Sequence, residues 1–282
     1  IKMSQSIAFI GVGNMGCPMA ENLMKAGKIV KVFDVSKKML GIAKDKNLET
    51  IENLDDLITA DVETVITMLP EGKHSKEVYL GENGIINKVS KDCLLIDCST
   101  IDIQTSIEIG KKALEKGIKM IDAPVSGGVM GAQKATLNIM VGGTKESFDL
   151  ALPLLKIMGK NIFHAGDLGS GNGAKICNNM SLGITMIAAS ESLMLAKRLN
   201  IDIKKVHEIM KNASGNSWPI SVYPPLPGLI DGRTTRSKVV PIDAPRLLEA
   251  CSSLRSKLAS EAATVIKTIG AARIAWAMII PE

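Results

Sequence analysis

The chain has 282 residues, which is long enough to bury a full hydrophobic core and predicts one large or two medium domains. Its hydrophobic fraction of 46% and charged fraction of 22% are typical of a globular protein. Aromatic residues make up only 3%, and the net charge of +5 comes from scattered lysines and arginines, so the composition argues against a nucleic-acid partner.

Cysteine and histidine are too dispersed to form a recognisable site. The five cysteines contain no C-x-x-C pair, and His74, His164 and His207 are far apart in the sequence. We therefore predict free thiols and no bound metal. No apolar run reaches transmembrane length, which predicts that the chain does not cross a membrane.

The first predicted strand leads directly into a glycine-rich turn. The strand covers Ser6–Ile10, and the glycine turn, G-V-G-N-M-G, occupies residues 11–16. A helix is predicted from there to Ala26, followed by a strand over Ile29–Phe33 that ends at Asp34. Strand, glycine turn, helix, strand and acid in this order are typical of a dinucleotide-binding unit.

The glycine turn has the residue types that a pyrophosphate requires. Gly11 permits the tight turn, Gly13 lets the backbone approach the phosphates, and Gly16 allows close packing of the helix. The N-terminus of the helix offers free N–H groups and a positive dipole end. The predicted cofactor-binding residues of the turn are Gly11, Val12, Gly13, Asn14, Met15 and Gly16.

Asp34 predicts which dinucleotide binds. Its carboxylate would accept hydrogen bonds from the ribose hydroxyls and repel a 2′-phosphate, so NAD is favoured over NADP. Lys37 and Lys38 follow closely and weaken this preference, unless they are solvated residues in the first turn of the next helix.

Strands and helices continue to alternate through the first half of the chain. Strands are predicted over Val62–Leu69, Cys93–Cys98, Ile118–Ile121 and Leu137–Val141, which indicates an α/β fold with a doubly wound parallel sheet. Ligands bind beyond the carboxyl ends of such strands. Residues at these ends include Leu69, Pro70, Thr100 and Ser126–Gly128. The alternative interpretation is that Pro70 only ends its strand and that Thr100 only leads into the next helix.

Ser126, Gly127 and Gly128 form a candidate anion site. Two glycines after a serine at a strand end expose consecutive backbone N–H groups, and a substrate carboxylate is a natural occupant. A flexible turn is the alternative interpretation of the same residues.

A long apolar helix is predicted from Gly169 to Arg198. It contains Lys175 and Asn179, which are four residues apart and therefore lie on one face. A lysine that extends from a core helix into water is one interpretation. The other is a general base, because partial desolvation would lower the pKa of the ammonium and allow it to take the proton of an alcohol as hydride leaves for nicotinamide C4.

Together these motifs resemble the β-hydroxyacid dehydrogenase family over roughly the first four-fifths of the chain. The matching blocks are F-I-G-V-G-N-M-G (9–16), M-L-P (68–70), L-L-I-D-C-S-T-I-D (94–102), D-A-P-V-S-G-G-V (122–129), M-V-G-G (140–143) and G-S-G-N-G-A-K-I-C-N-N-M (169–180). The resemblance implies a Rossmann-like NAD-binding domain over residues 1–166. It also implies an all-helical C-terminal domain over residues 167–282, joined to the first domain by the long helix.

The resemblance also implies roles for individual residues. Lys175 would be catalytic, and Asn179 would bind substrate together with Ser126, Gly127 and Gly128. Four residues would contact the cofactor outside the glycine turn: Leu69, Pro70, His74 and Thr100. The family often carries Asn at the position of His74.

The activity implied by the resemblance is NAD-dependent oxidation of a small 3-hydroxy acid. V-Y-P-P-L-P-G-L-I-D-G (222–232) is similar to members that act on 3-hydroxyisobutyrate in valine catabolism. Reduction of glyoxylate, succinic semialdehyde or tartronate semialdehyde is the nearest alternative. From about residue 234 the sequence departs from the family, which leaves a nucleotide-binding protein with impaired turnover as a further alternative.

The resemblance extends to assembly and location. It implies a homo-oligomer, either a dimer or a tetramer. A eukaryotic source would imply the mitochondrial matrix, with the targeting segment outside this sequence, and any other source the cytoplasm.

Overall fold

The computed structural model describes residues 6–59 and 61–225. This part of the chain divides between residues 187 and 188 into two compact units, which we describe separately. The region from about residue 234, where the sequence departs from the family, lies outside the described residues. The predicted domain boundary between residues 166 and 167 stays a prediction.

The first unit is built on a nine-stranded sheet. Its strands are β1 (Ser6–Ile10), β2 (Ile29–Phe33), β3 (Glu49–Thr50), β4 (Thr64–Thr67), β5 (Leu94–Asp97), β6 (Lys119–Asp122), β7 (Val125–Ser126), β8 (Leu137–Gly142) and β9 (Gly159–Gly166). Strands β3-β2-β1-β4-β5-β6 lie side by side and are all parallel. This is the strand order of a Rossmann fold, and it confirms the predicted fold class.

Helices connect the parallel strands as expected from the alternating pattern. The helices of the described residues are α1 (Gly16–Lys25), α2 (Lys37–Asp45), α3 (Leu54–Leu57), α4 (Gly72–Leu80), α5 (Ile103–Glu115), α6 (Gly128–Gln133), α7 (Lys145–Met158), α8 (Ser170–Arg198), α9 (Ile203–Asn212) and α10 (Trp218–Ser221). Asp102 caps α5 by accepting a hydrogen bond from the Thr105 N–H. Gly27, with φ +81°, follows α1 as a helix-ending glycine.

The centre of the sheet is buried on both faces, so every residue of β1, β4 and β5 is buried and these strands do not alternate between buried and exposed positions. One core contains Phe9 and Ile96, and the other contains Ile10 and Leu95. Cys93 and Cys98 belong to opposite cores and therefore point to opposite faces of the sheet.

Beyond β6 the sheet is no longer uniformly parallel. Strand β8 runs antiparallel to β6 and β7, and β9 runs parallel to β8. Asp122 at the end of β6 is paired with Gly142 at the end of β8. The mixed edge places the segment after β6, which contains Ser126, against β8 through the pair Ser126–Asn138.

The second unit is helical over the residues described. Helix α8 confirms the predicted long helix and crosses the division between the units. Ala189 and Leu193 of α8 form a small core with Ile220 of α10. His207 on α9 donates from Nε2 to the Ile220 carbonyl at 2.8 Å. Among the described helices, none is both long and apolar enough to span a membrane.

Candidate active site

The glycine turn lies where the strand order reverses, between β1 and β4. Gly11 has φ +93°, a conformation that favours glycine, and a Cβ added there would come within 2.4 Å of the Met68 carbonyl oxygen. A Cβ at Gly16 would come within 1.9 Å of the Gly11 carbonyl oxygen. Neither position therefore tolerates a side chain, and α1 begins in direct contact with the turn.

Gly13 differs from Gly11 and Gly16, because no atom of the described residues stands in the way of a side chain there. A Cβ added at Gly13 meets no atom within 4 Å. Met15 is the N-cap residue of α1, and its side chain makes no capping hydrogen bond. Among the described residues, the N–H groups of Asn14, Met15 and Gly16 have no hydrogen-bond partner, whereas the Cys17 N–H donates to the Gly13 carbonyl at 3.0 Å and Pro18 has no N–H. The three unpartnered N–H groups lie beside an open space, and this arrangement fits a dinucleotide pyrophosphate. Asn14 is exposed on the same turn, whereas Val12 is buried.

Asp34 is held at the edge of this space by two backbone donors. Its Oδ2 accepts from the Val12 N–H at 2.9 Å, and its Oδ1 accepts from the Ser36 N–H at 2.8 Å. Each carboxylate oxygen keeps a further lone pair that a ribose hydroxyl can use. Lys37 and Lys38 are exposed in the first turn of α2.

A buried polar network supports the strand ends next to the turn. Asp97, only 1% exposed, accepts from the Thr67 hydroxyl at 2.8 Å and from the Ser99 N–H at 2.9 Å. Ser99 Oγ in turn accepts from the Leu69 N–H at 2.8 Å. The network fixes Leu69 beside Gly11, where the two predicted cofactor-binding segments meet.

Other predicted cofactor contacts remain predictions. Pro70 and Thr100 are exposed at the carboxyl ends of β4 and β5. His74 lies on α4, half-buried, and among the described residues its Nδ1 is a buried nitrogen without a hydrogen-bond partner.

In the predicted anion site, both glycines have the positive φ values that glycine adopts readily. Ser126 ends β7, and Gly127 and Gly128 follow with φ values of +135° and +62°. Both glycines are exposed, and Gly128 begins α6. The exposed N–H groups are suited to an anion, and the carboxylate-binding role stays a prediction.

Lys175 lies in the second turn of α8 with only 9% of its surface exposed. Burial lowers the pKa of its ammonium. In the part of the chain that the structure describes, no ion pair or hydrogen bond holds this ammonium. Asn179 lies one turn later and is exposed. Lys175 can therefore be neutral more readily than a surface lysine and can accept a proton.

Four polar residues that support the site were not identified as site residues from the sequence: Asp97, Ser99, Asp122 and Asn172. A signal exists for the two aspartates, because each ends a strand whose other inward residues are apolar. Among the described residues, no group of His, Cys, Asp and Glu has the geometry of a metal site.

Comparisons with known proteins agree with this architecture. A family model of the NAD-binding domain of 6-phosphogluconate dehydrogenase matches residues 6–166. A second model, described as NAD-binding of NADP-dependent 3-hydroxyisobutyrate dehydrogenase, matches residues 169–231.

Individual relatives point to the same family. A 3-hydroxyisobutyrate dehydrogenase of Pseudomonas aeruginosa is 46% identical over 79% of this chain and 75% of its own length. An NAD-dependent L-serine dehydrogenase of the same organism is 41% identical over 80% and 76%. The structure of a Mycobacterium tuberculosis 3-hydroxyisobutyrate dehydrogenase with L-serine has a TM-score of 0.75 and 36% identity, covering 81% of this chain and 77% of that one. The chain therefore belongs to the β-hydroxyacid dehydrogenase family and is an NAD-dependent oxidoreductase.

Proposed function

We propose that this protein oxidises the primary alcohol of a small 3-hydroxy acid, with 3-hydroxyisobutyrate as its substrate and a semialdehyde as its product. The relatives named for this substrate support the choice. The burial of Lys175 at the start of α8 is the observation that carries the proposed chemistry.

When bound, NAD would supply the acceptor for the hydride of the carbinol carbon. The glycine turn and the start of α1 would bind its pyrophosphate, because the N–H groups of Asn14, Met15 and Gly16 have no partner among the described residues and the space beside Gly13 is open. Asp34 would accept hydrogen bonds from the adenosine ribose and exclude a 2′-phosphate, which favours NAD. Leu69, fixed through Ser99, would contact the nicotinamide end.

Ser126, Gly127 and Gly128 would bind the substrate carboxylate through the serine hydroxyl and exposed backbone N–H groups. Asn179 would hold the substrate or Lys175 from the same face of α8. These contacts would orient the substrate so that the proton of the hydroxyl oxygen and the hydride of the carbinol carbon leave in different directions.

Lys175 would act as the general base. Its neutral Nζ accepts the hydroxyl proton while the carbon–oxygen bond becomes a carbonyl, so one proton and one hydride leave the alcohol. In the reverse direction the ammonium returns the proton to the forming alkoxide. The lowered pKa favours the neutral form that the oxidation requires.

L-serine is the second candidate substrate, because one relative and one solved structure carry its name. It is also a 3-hydroxy acid and differs at C2, where an ammonium group replaces a methyl group. The test compares kcat/KM for both acids with NAD by following the absorbance of reduced nicotinamide. We expect 3-hydroxyisobutyrate to have the higher value, and a higher value for L-serine would reverse the assignment.

The substrate determines the wider role. Oxidation of 3-hydroxyisobutyrate would place the enzyme in valine degradation. Relatives from Dictyostelium discoideum and Bos taurus are named as mitochondrial, which supports the matrix as the location for a eukaryotic source. We further propose a homo-oligomer and a helical domain that begins near residue 167.

A further inference from the structure

The first turn of α8 is tied to the sheet through a buried carboxylate. Asp122 ends β6 and is 0% exposed. Its Oδ1 accepts from the Gly169 N–H at 2.7 Å, and its Oδ2 accepts from the Asn172 N–H at 2.7 Å. These donors would otherwise be unsatisfied, because the first N–H groups of a helix have no partner within it.

Asn172 extends the attachment to a second element. Its side chain is completely buried, and its Oδ1 accepts from the Ile101 N–H at 3.0 Å. Ile101 lies between the end of β5 and the start of α5. The first turn of α8 is therefore held from two sides, by β6 through Asp122 and by the β5–α5 connection through Asn172.

Glycines bring the helix close enough for these bonds. A Cβ added at Gly171 would lie 2.4 Å from the Met140 carbonyl oxygen and 2.8 Å from Asp122 Oδ2. A Cβ added at Gly142 would lie 2.3 Å from Asp122 Oδ1. The backbones of β8 and α8 therefore lie so close to the Asp122 carboxylate that only glycine fits at positions 142 and 171.

Lys175 follows Asn172 by three residues and lies on the same side of the helix. We propose that Asp122, together with Asn172, is a positioning residue that fixes the first turn of α8 and thereby holds Lys175 in its buried place. This inference rests on the proposed function only for the role of Lys175 as the base. The carboxylate binds helix N–H groups, so it anchors the lysine without forming an ion pair that would keep the ammonium charged.

Two conservative changes test the attachment. Asp122→Asn keeps the size of the side chain but turns one acceptor into an NH₂ group that faces a backbone N–H. Asn172→Ala removes the side-chain bond to Ile101 and the longer bonds from Nδ2 to Ser106 Oγ and Asp122 Oδ2. It leaves both backbone N–H bonds to Asp122, so it provides a milder variant if the first does not fold. Asp97→Asn is the matched control, because Asp97 is paired with Asp122 across β5 and β6 and is equally buried but has no hydrogen bond to α8.

The readout is the reactivity of Lys175 itself. The 282-residue chain is labelled with acetic anhydride across a pH series, and the Lys175 peptide is quantified by mass spectrometry to give the pH midpoint of labelling. In Asp122→Asn, a released helix start lets water reach the amine, so the midpoint should rise by at least about 0.5 pH unit. Asn172→Ala should shift it less and in the same direction, and Asp97→Asn should leave it unchanged.

Kinetics separate this proposal from the proposed function. If Lys175 is the base, Asp122→Asn should lower kcat by about 10- to 100-fold, since small displacements of a reacting group have effects of that size, with NAD affinity retained. A shifted midpoint with parental kcat would support the positioning role and overturn the role of Lys175 as base. Folded Asp122→Asn or Asn172→Ala protein with the parental midpoint would overturn the positioning role, whatever its activity.

Discussion

The glycine turn offers two substitutions that should separate folding from cofactor binding. In Gly16→Ala, the new Cβ would lie 1.9 Å from the Gly11 carbonyl oxygen and 3.0 Å from the Phe9 ring. Contacts of real Cβ atoms begin at 3.0 Å, so the turn and α1 must separate by about 1 Å. Overpacking of this kind destabilises by about 1–3 kcal/mol, which lowers Tm by roughly 2–12 °C.

Gly13→Ala should have the opposite effect on stability. Its Cβ meets no atom within 4 Å and its φ is not positive, so the folded state accepts alanine while the unfolded chain loses freedom. We expect an unfolding free energy that is unchanged or higher by up to about 1 kcal/mol. The new methyl group would occupy the side from which a pyrophosphate approaches, so NAD affinity should fall at least about tenfold.

Thermal unfolding by circular dichroism and NAD titration by calorimetry measure both quantities. Gly41→Ala is the matched control, because Gly41 is exposed on α2 and its added Cβ also meets no atom within 4 Å. It should raise Tm slightly and leave NAD binding unchanged. Parental stability of Gly16→Ala, or parental NAD affinity of Gly13→Ala, would refute the reasoning.

Three further predictions concern the cofactor, the substrate and the buried lysine. Asp34→Ser should narrow the ratio of kcat/KM between NAD and NADP, and an unchanged ratio would remove Asp34 from cofactor choice. Asn179→Ala should lower kcat/KM for the hydroxy acid less than Lys175→Ala does, because the Asn179 side chain positions groups and transfers no proton. An equal loss of kcat/KM would contradict a positioning role for Asn179. Lys175→Met should raise Tm at neutral pH, since burial penalises the charged ammonium. Because the pKa of Lys175 is lowered in the folded state, the stability advantage of Lys175→Met should shrink as the pH rises from that pKa to about 10.4. Thermal denaturation at several pH values measures this advantage, and an advantage that does not change with pH would contradict the prediction.

Much of the Rossmann-like half follows from local pattern. The strand over Ile29–Phe33 and the cap at Asp102 could be predicted because apolar runs, helix periodicity and capping residues are short-range signals. The long helix that carries Lys175 was predictable for the same reason.

Contacts between distant segments were not predictable in this way. Asp122 binds N–H groups that are 47 and 50 residues later in the chain, and no local pattern encodes such a pairing. The antiparallel pairing of β8 with β6 is of the same kind, because the sequence shows the strands but not their direction in the sheet. Burial of Lys175 depends on these long-range contacts, so the sequence alone left a solvent-directed lysine as an open alternative.

The role of Lys175 is the central claim, and the pH dependence of hydroxy-acid oxidation tests it most directly. The measurement is kcat/KM for 3-hydroxyisobutyrate with saturating NAD, across pH, for the parent and for Lys175→Ala. We predict that the parental activity rises with pH through a midpoint below the ordinary lysine value of about 10.4, and that Lys175→Ala lowers turnover by about 100- to 10,000-fold and loses this rise. A Lys175→Ala protein that binds NAD and keeps the parental rate and pH profile would contradict the account.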